Sequence, residues 1–415
     1  MNSRRSLTAF EHDRLKVDGE ALTGRHLEAL DGYARRSLRA PYAVERNAVR
    51  FSQFVGALRV GKTTIEVLPK ALYQPPTGEG GPDTVEIRRR LLRLLTFTGA
   101  VYSKTAGDLE TRCARQTLFA AWQQVFLNEV ELILSRGLVR SYRSHQAELS
   151  AVRGKILTHL IATANPAHRE RLACRYPIYD RSNALNGLLK QGLQAVLAGA
   201  TSPQIAERAK AALINFSEVV APALSRTEIE RLQPPRKAAH YQSALTLARM
   251  LVLGRSPALR AGSLPVQAIM FDMNQIFERY VAKCFKQAAR RHADARVHVQ
   301  VRAPFWKSRG LRPDLIIEHP QRRIALDTKW KILDHPTPSD SDLKQMYVYA
   351  RFFDSPDTVL LYPETGVAPA GGSYRDNAAS CSVRFMELRP DDGGVAAASR
   401  LLTELIGSCT NQDTV

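Results

Sequence analysis

The chain has 415 residues, 59 of them Lys or Arg against 40 Asp or Glu, for a formal net charge of +19. A pI near 10.0 points to a polyanionic partner, and 415 residues suffice for two or three domains. No apolar run approaches the length of a membrane span, and the first residues lack the apolar core of a signal peptide, so a cytoplasmic protein with no membrane contact is expected.

Residues 1–40 give no clear period. Ala43-Val44 and Val49-Arg-Phe51 read as short strands. Gly56-Ala-Leu-Arg-Val-Gly-Lys-Thr63 satisfies G-x-x-x-x-G-K-[ST], the phosphate-cradling loop of nucleotide hydrolases. That motif works only where a helix opens at the lysine and aims backbone amides at phosphate. Here Thr63-Thr-Ile-Glu-Val-Leu-Pro69 alternates, is β-branched and meets proline, which is strand chemistry with Val60-Gly-Lys62 as a hairpin turn. The motif is read as a decoy. The breaker-rich Gln74–Asp83 then closes a β-rich module over residues 1–84.

Residues 85–262 read as a helical middle region. Leu118, Phe119, Trp122, Phe126 and Val130 recur at helical spacing, as do Leu185, Leu188, Leu189 and Leu193, and both stripes are expected to be core. Asp180 and Asn186 are read as capping or bracing a helix start. Tyr241–Leu253 is a further helix, and Gly254–Pro265 a linker. Arg35-Arg36 and Arg88-Arg-Arg90 offer phosphate contacts, or else solvated helix faces. Five cysteines at 113, 174, 284, 381 and 409 have no paired spacing, which suits a reducing compartment and argues against zinc.

The chemistry concentrates in residues 263–407, ahead of a polar tail over 408–415. Asp272 with Gln275 suggests a capping box opening a helix to about Ala293. Leu311–Ile317 and Arg323–Trp330 are apolar runs joined by the polar Glu318–Arg322, as two strands of a hairpin are. Alternation puts Asp327 and Lys329 on one face, and pairing of the runs can bring Asp314 beside it. Two adjacent carboxylates are costly without a cation between them, and hard oxygen ligands favour Mg²⁺. Asp314 and Asp327 are therefore the expected metal ligands, with Lys329 orienting a nucleophile or stabilising charge during phosphodiester cleavage. Glu278 is either a third acid or a complement to its helix dipole. Ser339 and Asp342 suit a second helix start. Gln345 either touches the attacking water or a phosphate, or is simply exposed. Thr358–Tyr362 is a further strand, and the order helix, strand, strand, helix, strand is that of a PD-(D/E)xK nuclease core.

Phe54-Val-Gly-Ala-Leu58 with Ile65–Lys70, Arg153-Gly-Lys-Ile156 with Asp180 and Asn186, Asp272–Tyr280, and Pro313-Asp314 with Asp327-x-Lys329 together carry a resemblance over about residues 50–365. The chain resembles the McrC family, nuclease subunits of the McrBC 5-methylcytosine-specific restriction system. The resemblance implies an α+β multidomain chain with a C-terminal PD-(D/E)xK restriction-endonuclease-like α/β domain. It implies Asp314, Asp327 and Lys329 as the catalytic set, with Glu278 and Gln345 as accessories. It also implies methylated double-stranded DNA as substrate, and an McrB-like AAA+ GTPase partner that the N-terminal module engages and stimulates. The rival readings are a non-catalytic DNA-binding adaptor and an autonomous nucleotide hydrolase.

Overall fold

The computed structural model describes residues 5–36, 40–72, 83–101, 116–161, 171–256, 264–364 and 366–407. The expected breaker-rich loop after Tyr73, most of the second linker and the polar tail therefore lie outside the described residues. The fold is mixed α+β, and the chain divides into two compact units, residues 1–118 with 257–415, and residues 119–256. Among the described residues no helix is long and apolar enough to cross a membrane.

The first unit begins with strands β1 (Arg5–Phe10) and β2 (Arg14–Lys16), helix α1 (Gly24–Ala34), then β3 (Tyr42–Glu45), β4 (Ala48–Phe51), β5 (Phe54–Val60) and β6 (Thr63–Leu68). The last two are the phosphate-loop look-alike. They form an antiparallel hairpin with Val60 opposite Thr63. Gly61 stands at φ +58° in the first central position of the turn, where a type II′ hairpin requires glycine. No helix opens at Lys62; the chain runs straight into β6. Gly56 has a separate reason to be glycine. Its φ is +144°, and a Cβ there would meet the Ile269 carbonyl oxygen at 2.1 Å. That oxygen belongs to Val266–Asp272, which lies antiparallel to β5 with Met270 opposite Gly56. A strand about 200 residues downstream in sequence thus joins the N-terminal sheet. Leu22, Leu30, Phe51, Leu58, Ile65, Val67 and Val266 share the core beneath it.

Helix α2 (Thr84–Phe97) follows, capped by Asp83. Its arginines are not free for phosphate. Arg88 pairs with the fully buried Glu66 at 2.8 Å, and Arg89 and Arg90 pair with Glu86 at 2.7 and 3.1 Å. Arg35 likewise pairs with Asp31 at 2.8 Å.

The second unit holds α3 (Leu118–Arg136), whose Phe119, Trp122, Phe126 and Val130 are buried as their spacing required, and α4 (Ala184–Ala198) with Leu185, Leu188, Leu189 and Leu193 buried. It also holds strands that helical periodicity did not reveal. β7 (Ser141–Leu149) pairs along its whole length with β9 (Leu172–Asp180), and β8 (Lys155–Ile156) adds a third strand. β7 alternates between exposed and half-buried and packs no fully buried side chain, so it lacks the apolar alternation that marks a strand in sequence. Gly154, at φ +70°, lies where a Cβ would meet the Arg175 carbonyl oxygen at 2.4 Å, and the Arg153 guanidinium covers the Tyr176 ring at 4.4 Å. Asp180 accepts from Arg143 at 2.8 Å rather than capping a helix. The cap of α4 is Asn183, which accepts from the Asn186 amide at 3.0 Å. Buried Asn186 donates to the Val139 and Arg181 carbonyls and accepts from the Tyr241 hydroxyl at 3.0 Å. It is a structural brace.

Back in the first unit, β10 (Val266–Asp272) leads directly into α5 (Met273–Ala289). The helix stops short of Ala293 because Arg291, His292 and Ala295 close successive tight turns. A six-stranded mixed sheet follows, built from β11 (Arg296–Val299), β12 (Leu315–His319), β13 (Arg322–Thr328), β14 (Asp357–Pro363), β15 (Ala370–Ser373) and β16 (Ser380–Met386), in the order β11-β12-β13-β14-β16-β15. β12 and β13 are antiparallel; β13, β14 and β16 are parallel. Side chains alternate across this sheet. Ile316, Ala325 and Leu360 share one core with Met346 and Tyr349 of helix α6 (Asp340–Phe352) and with Phe353 just after it. The opposite face carries α5 and α7 (Asp392–Gly407), which pack on each other.

Candidate active site

The register of β12 and β13 decides where the charged side chains go. Leu315 lies opposite Leu326, so one step outward Asp314 comes opposite Asp327. Asp314, Asp327 and Lys329 then share the parity of Ile316 and Ala325 and project toward α6. Asp314 Oδ2 accepts from the Thr328 amide at 2.8 Å and from its hydroxyl at 2.6 Å, which fixes one carboxylate edge against the neighbouring strand.

Lys329 Nζ is held on three sides. It lies 2.9 Å from Asp327 Oδ2 and 3.2 Å from Asp342 Oδ1, and it donates to Gln345 Oε1 at 2.8 Å. Gln345 in turn donates to Asp327 Oδ1 at 3.4 Å and to the Tyr349 hydroxyl at 2.8 Å, and that hydroxyl donates to the Arg312 carbonyl at 3.2 Å. Gln345 is therefore not an idle surface group.

Asp327 is buried, and burial together with the nearby Asp314 charge pushes its carboxyl up to about 6, against the opposing pull of Lys329. Burial works to lower the Lys329 ammonium, yet Asp327 and Asp342 outweigh it and hold its pKa above the ordinary lysine value. Lys329 is consequently a fixed cation and not a base at neutral pH. Asp342 is held below the usual carboxylate range: burial opposes this, but Ser339, Lys329 and Lys331 all stabilise the anion.

Glu278, on the second turn of α5, is half-buried. Burial raises its carboxyl, a hydrogen bond from Gln300 opposes that, and the Asp314 charge adds to the rise. Gln300 also donates its backbone amide to the Asp314 carbonyl at 2.9 Å. Glu278 thus borders the cluster on the Asp314 side.

Asp342 and Tyr349 belong to this constellation, although neither stood out as a site residue in the sequence. The only signal for Asp342 was Ser339-x-x-Asp, which correctly marks the helix start: Ser339 accepts from the Asp342 amide at 3.3 Å. The same aspartate then turns its other oxygen to the lysine.

Asp314 and Asp327 fit a hard divalent cation in their chemistry. They are anionic oxygen donors facing each other across a strand pair, and the mutual charge that raises Asp327 is what a cation relieves. Among the described residues, no group of three or more His, Cys, Asp or Glu is gathered closely enough to hold a metal by itself. Any coordination shell is completed by water, backbone or substrate oxygens.

A buried acid–lysine–glutamine cluster at the end of a mixed sheet, beneath one helix, defines the class of site. The family model for a component of the McrBC 5-methylcytosine restriction system matches residues 49–363, and the chain belongs to that family. A chain in the assembly of Thermococcus gammatolerans McrB AAA+ hexamers with bound McrC superposes at TM-score 0.70 and 17% identity, covering 96% of this chain and 100% of that one. A chain in the Thermococcus gammatolerans McrBC complex superposes at TM-score 0.50 and 16% identity, covering 84% of this chain and 99% of that one. These likenesses are of fold. No curated protein matches the sequence.

Proposed function

We propose that this chain is the DNA-cleaving subunit of a modification-dependent restriction system, with a PD-(D/E)xK-type site and a Mg²⁺ requirement. The observation that carries the reading is Lys329, locked between Asp327, Asp342 and Gln345 opposite Asp314. Asp314 and Asp327 would hold Mg²⁺. When bound, the ion supplies neutralising charge at the phosphate and lowers the pKa of an attached water. Lys329, kept protonated by its two carboxylates, meets the negative charge that builds on the phosphate in the transition state. Gln345 bridges the ammonium and the Asp327 carboxylate. From α6, Asp342 holds the ammonium and Tyr349 holds Gln345. Glu278 lies close enough to Asp314 to raise the negative potential at that end.

The partner in this reading is an McrB-like AAA+ GTPase, as in the assemblies whose folds this chain shares. The hairpin at Gly61-Lys62 supplies no helix N-terminus for nucleotide phosphate, so translocation is assigned to the partner. One observation favours the rival, a non-catalytic DNA-binding adaptor: among the described residues, no three His, Cys, Asp or Glu gather closely enough to hold a metal by themselves. Cleavage of methylated plasmid with partner, GTP and Mg²⁺ decides. An Asp327→Ala chain that still cuts at the wild-type rate overturns the nuclease reading; one that binds DNA without cutting supports it.

A further inference from the structure

A two-stranded ribbon interrupts the chain just before the site. β-strands Ala303–Trp306 and Arg309–Leu311 pair antiparallel, with Ala303 opposite Leu311 and Trp306 opposite Arg309. They form a small sheet of their own, outside the six-stranded one. The stem is anchored: Ala303 and Leu311 pack on the core under α6, and the Tyr349 hydroxyl holds the Arg312 carbonyl. The tip is exposed. Phe305 is 48% and Trp306 60% exposed. Phe305 meets Phe352, itself 47% exposed, edge-on at 5.2 Å between ring centroids.

Between Arg302 and Pro313 the sequence holds four cations and no acid. Arg302, Lys307 and Arg309 are exposed, and among the described residues none of the three makes an ion pair. This sets them apart from Arg35 and Arg88–Arg90, which are spent on internal carboxylates. Lys307 sits at φ +48° and folds its ammonium 4.8 Å over the Trp306 ring. A left-handed lysine is conformationally costly and is kept only where the surroundings fix it. Three large aromatic side chains gathered at the surface form an exposed apolar patch of the kind that marks an interaction site.

We propose that this ribbon is a duplex-DNA contact that seats the strand entering the Asp314–Lys329 site. The major groove admits a two-stranded ribbon. Its cations meet the flanking phosphates, and Phe305 and Trp306 place apolar surface on sugars and base edges. Only Arg312 and Pro313 separate the ribbon from Asp314, so whatever the ribbon grips is delivered to the carboxylates. The inference rests on DNA being the substrate, and it names the surface that positions it.

The test measures binding of the full-length chain to a fluorescein-labelled duplex by anisotropy, in EDTA, so that cleavage plays no part. Lys307→Gln with Arg309→Gln is expected to weaken binding about tenfold and to reduce the slope of log affinity against log salt by about two. Trp306→Ala is expected to weaken binding about five- to tenfold with little change in that slope, because it removes contact and not charge. Circular dichroism and melting should be unchanged, as Trp306, Lys307 and Arg309 are all exposed. A bromodeoxyuridine duplex should crosslink to residues 305–309. Unchanged affinity and slope, with no crosslink, would overturn the ribbon assignment even if Asp327→Ala abolished cleavage. Weakened association with the partner GTPase at unchanged DNA affinity would overturn it too, and would make the ribbon a protein contact. Loss of DNA binding in the ribbon variants while Asp327→Ala still cuts would sink the nuclease reading and leave the ribbon standing.

Discussion

The Trp330 indole donates to Glu11 Oε2 at 2.7 Å across 319 residues of sequence. Both side chains are buried, and the second Glu11 oxygen accepts from the Lys70 amide at 2.9 Å. Trp330 follows the site lysine directly, and its ring meets Phe277 at 5.5 Å, the neighbour of Glu278. One hydrogen bond therefore ties the N-terminal sheet to the backbone on which Lys329 stands. Trp330→Phe keeps the ring contact but strands a buried carboxylate oxygen, and is expected to cost about 1–3 kcal/mol. Urea unfolding checks the cost, and a fall in cleavage larger than any fall in DNA affinity checks the tie to the site.

Lys329→Met should lower cleavage about 10²- to 10³-fold with DNA binding retained, the scale of losing one preorganised charge partner in a transition state. Lys329→Arg should fail to restore it. A planar guanidinium cannot occupy the point at which Asp327, Asp342 and Gln345 converge. Single-turnover cleavage separates the two quantities, and an arginine variant at wild-type rate would show that charge alone suffices.

Asp342→Asn removes one of the two anions that hold the lysine pKa above its ordinary value. The alkaline limb of the pH–rate profile should then move to lower pH, with a rate loss of about tenfold at neutral pH, one rung of barrier height. Mutating a merely structural helix cap would lower stability and leave the shape of the profile unchanged.

Asp327 gives a pH signature in metal-free protein. Its folded-state pKa is raised, from 3.8 to about 6, so the folded chain binds more protons than the unfolded chain between those values. Stability therefore falls as pH rises through that window, and the penalty is fully present above it. The displacement corresponds to on the order of 3 kcal/mol. Asp327→Asn should be more stable than the parent above pH 6 and should converge with it near pH 4. Denaturation at a series of pH values reads the difference directly, and parallel curves would refute it.

The phosphate-loop look-alike separates by mutation. Gly56→Ala drives a Cβ into the Ile269 carbonyl at a φ of +144°, and should cost roughly 2–4 kcal/mol through strain and clash. Lys62→Ala, on an exposed turn, should stay within about 0.5 kcal/mol of the parent. A true nucleotide site would show the reverse emphasis, with lost binding of GTP at Lys62 in the isolated chain.

What sequence could reveal followed the range of the interactions. Apolar runs around Asp314 and Asp327 sufficed to place a hairpin there, because alternation and the polar, proline-bearing connection over Glu318–Arg322 are local signals. Gln345 and Tyr349 were visibly one turn apart on a helix. Asp342 was hidden, since a residue three beyond a serine cap is fully explained by the cap. The ribbon at 303–311 was hidden because it buries little and so has no apolar period. Arg88 was ambiguous for the opposite reason: its partner Glu66 lies in a strand, and no local rule connects them, whereas Arg89 and Arg90 pair with Glu86 one turn away on their own helix. Least legible was β10, whose apolar residues read as the opening of the C-terminal region while its hydrogen bonds go to β5.

That last pairing has a cost during synthesis. The edge of Phe54–Val60 emerges from the ribosome long before Val266–Asp272 exists. At about 5–20 residues per second, it stays uncovered for roughly 10–40 s. A bare strand edge in a nascent chain is a template for pairing with the wrong neighbour. Expression of the N-terminal segment by itself is therefore an invitation to aggregate, and its productive folding waits on the arrival of a strand synthesised about 200 residues later.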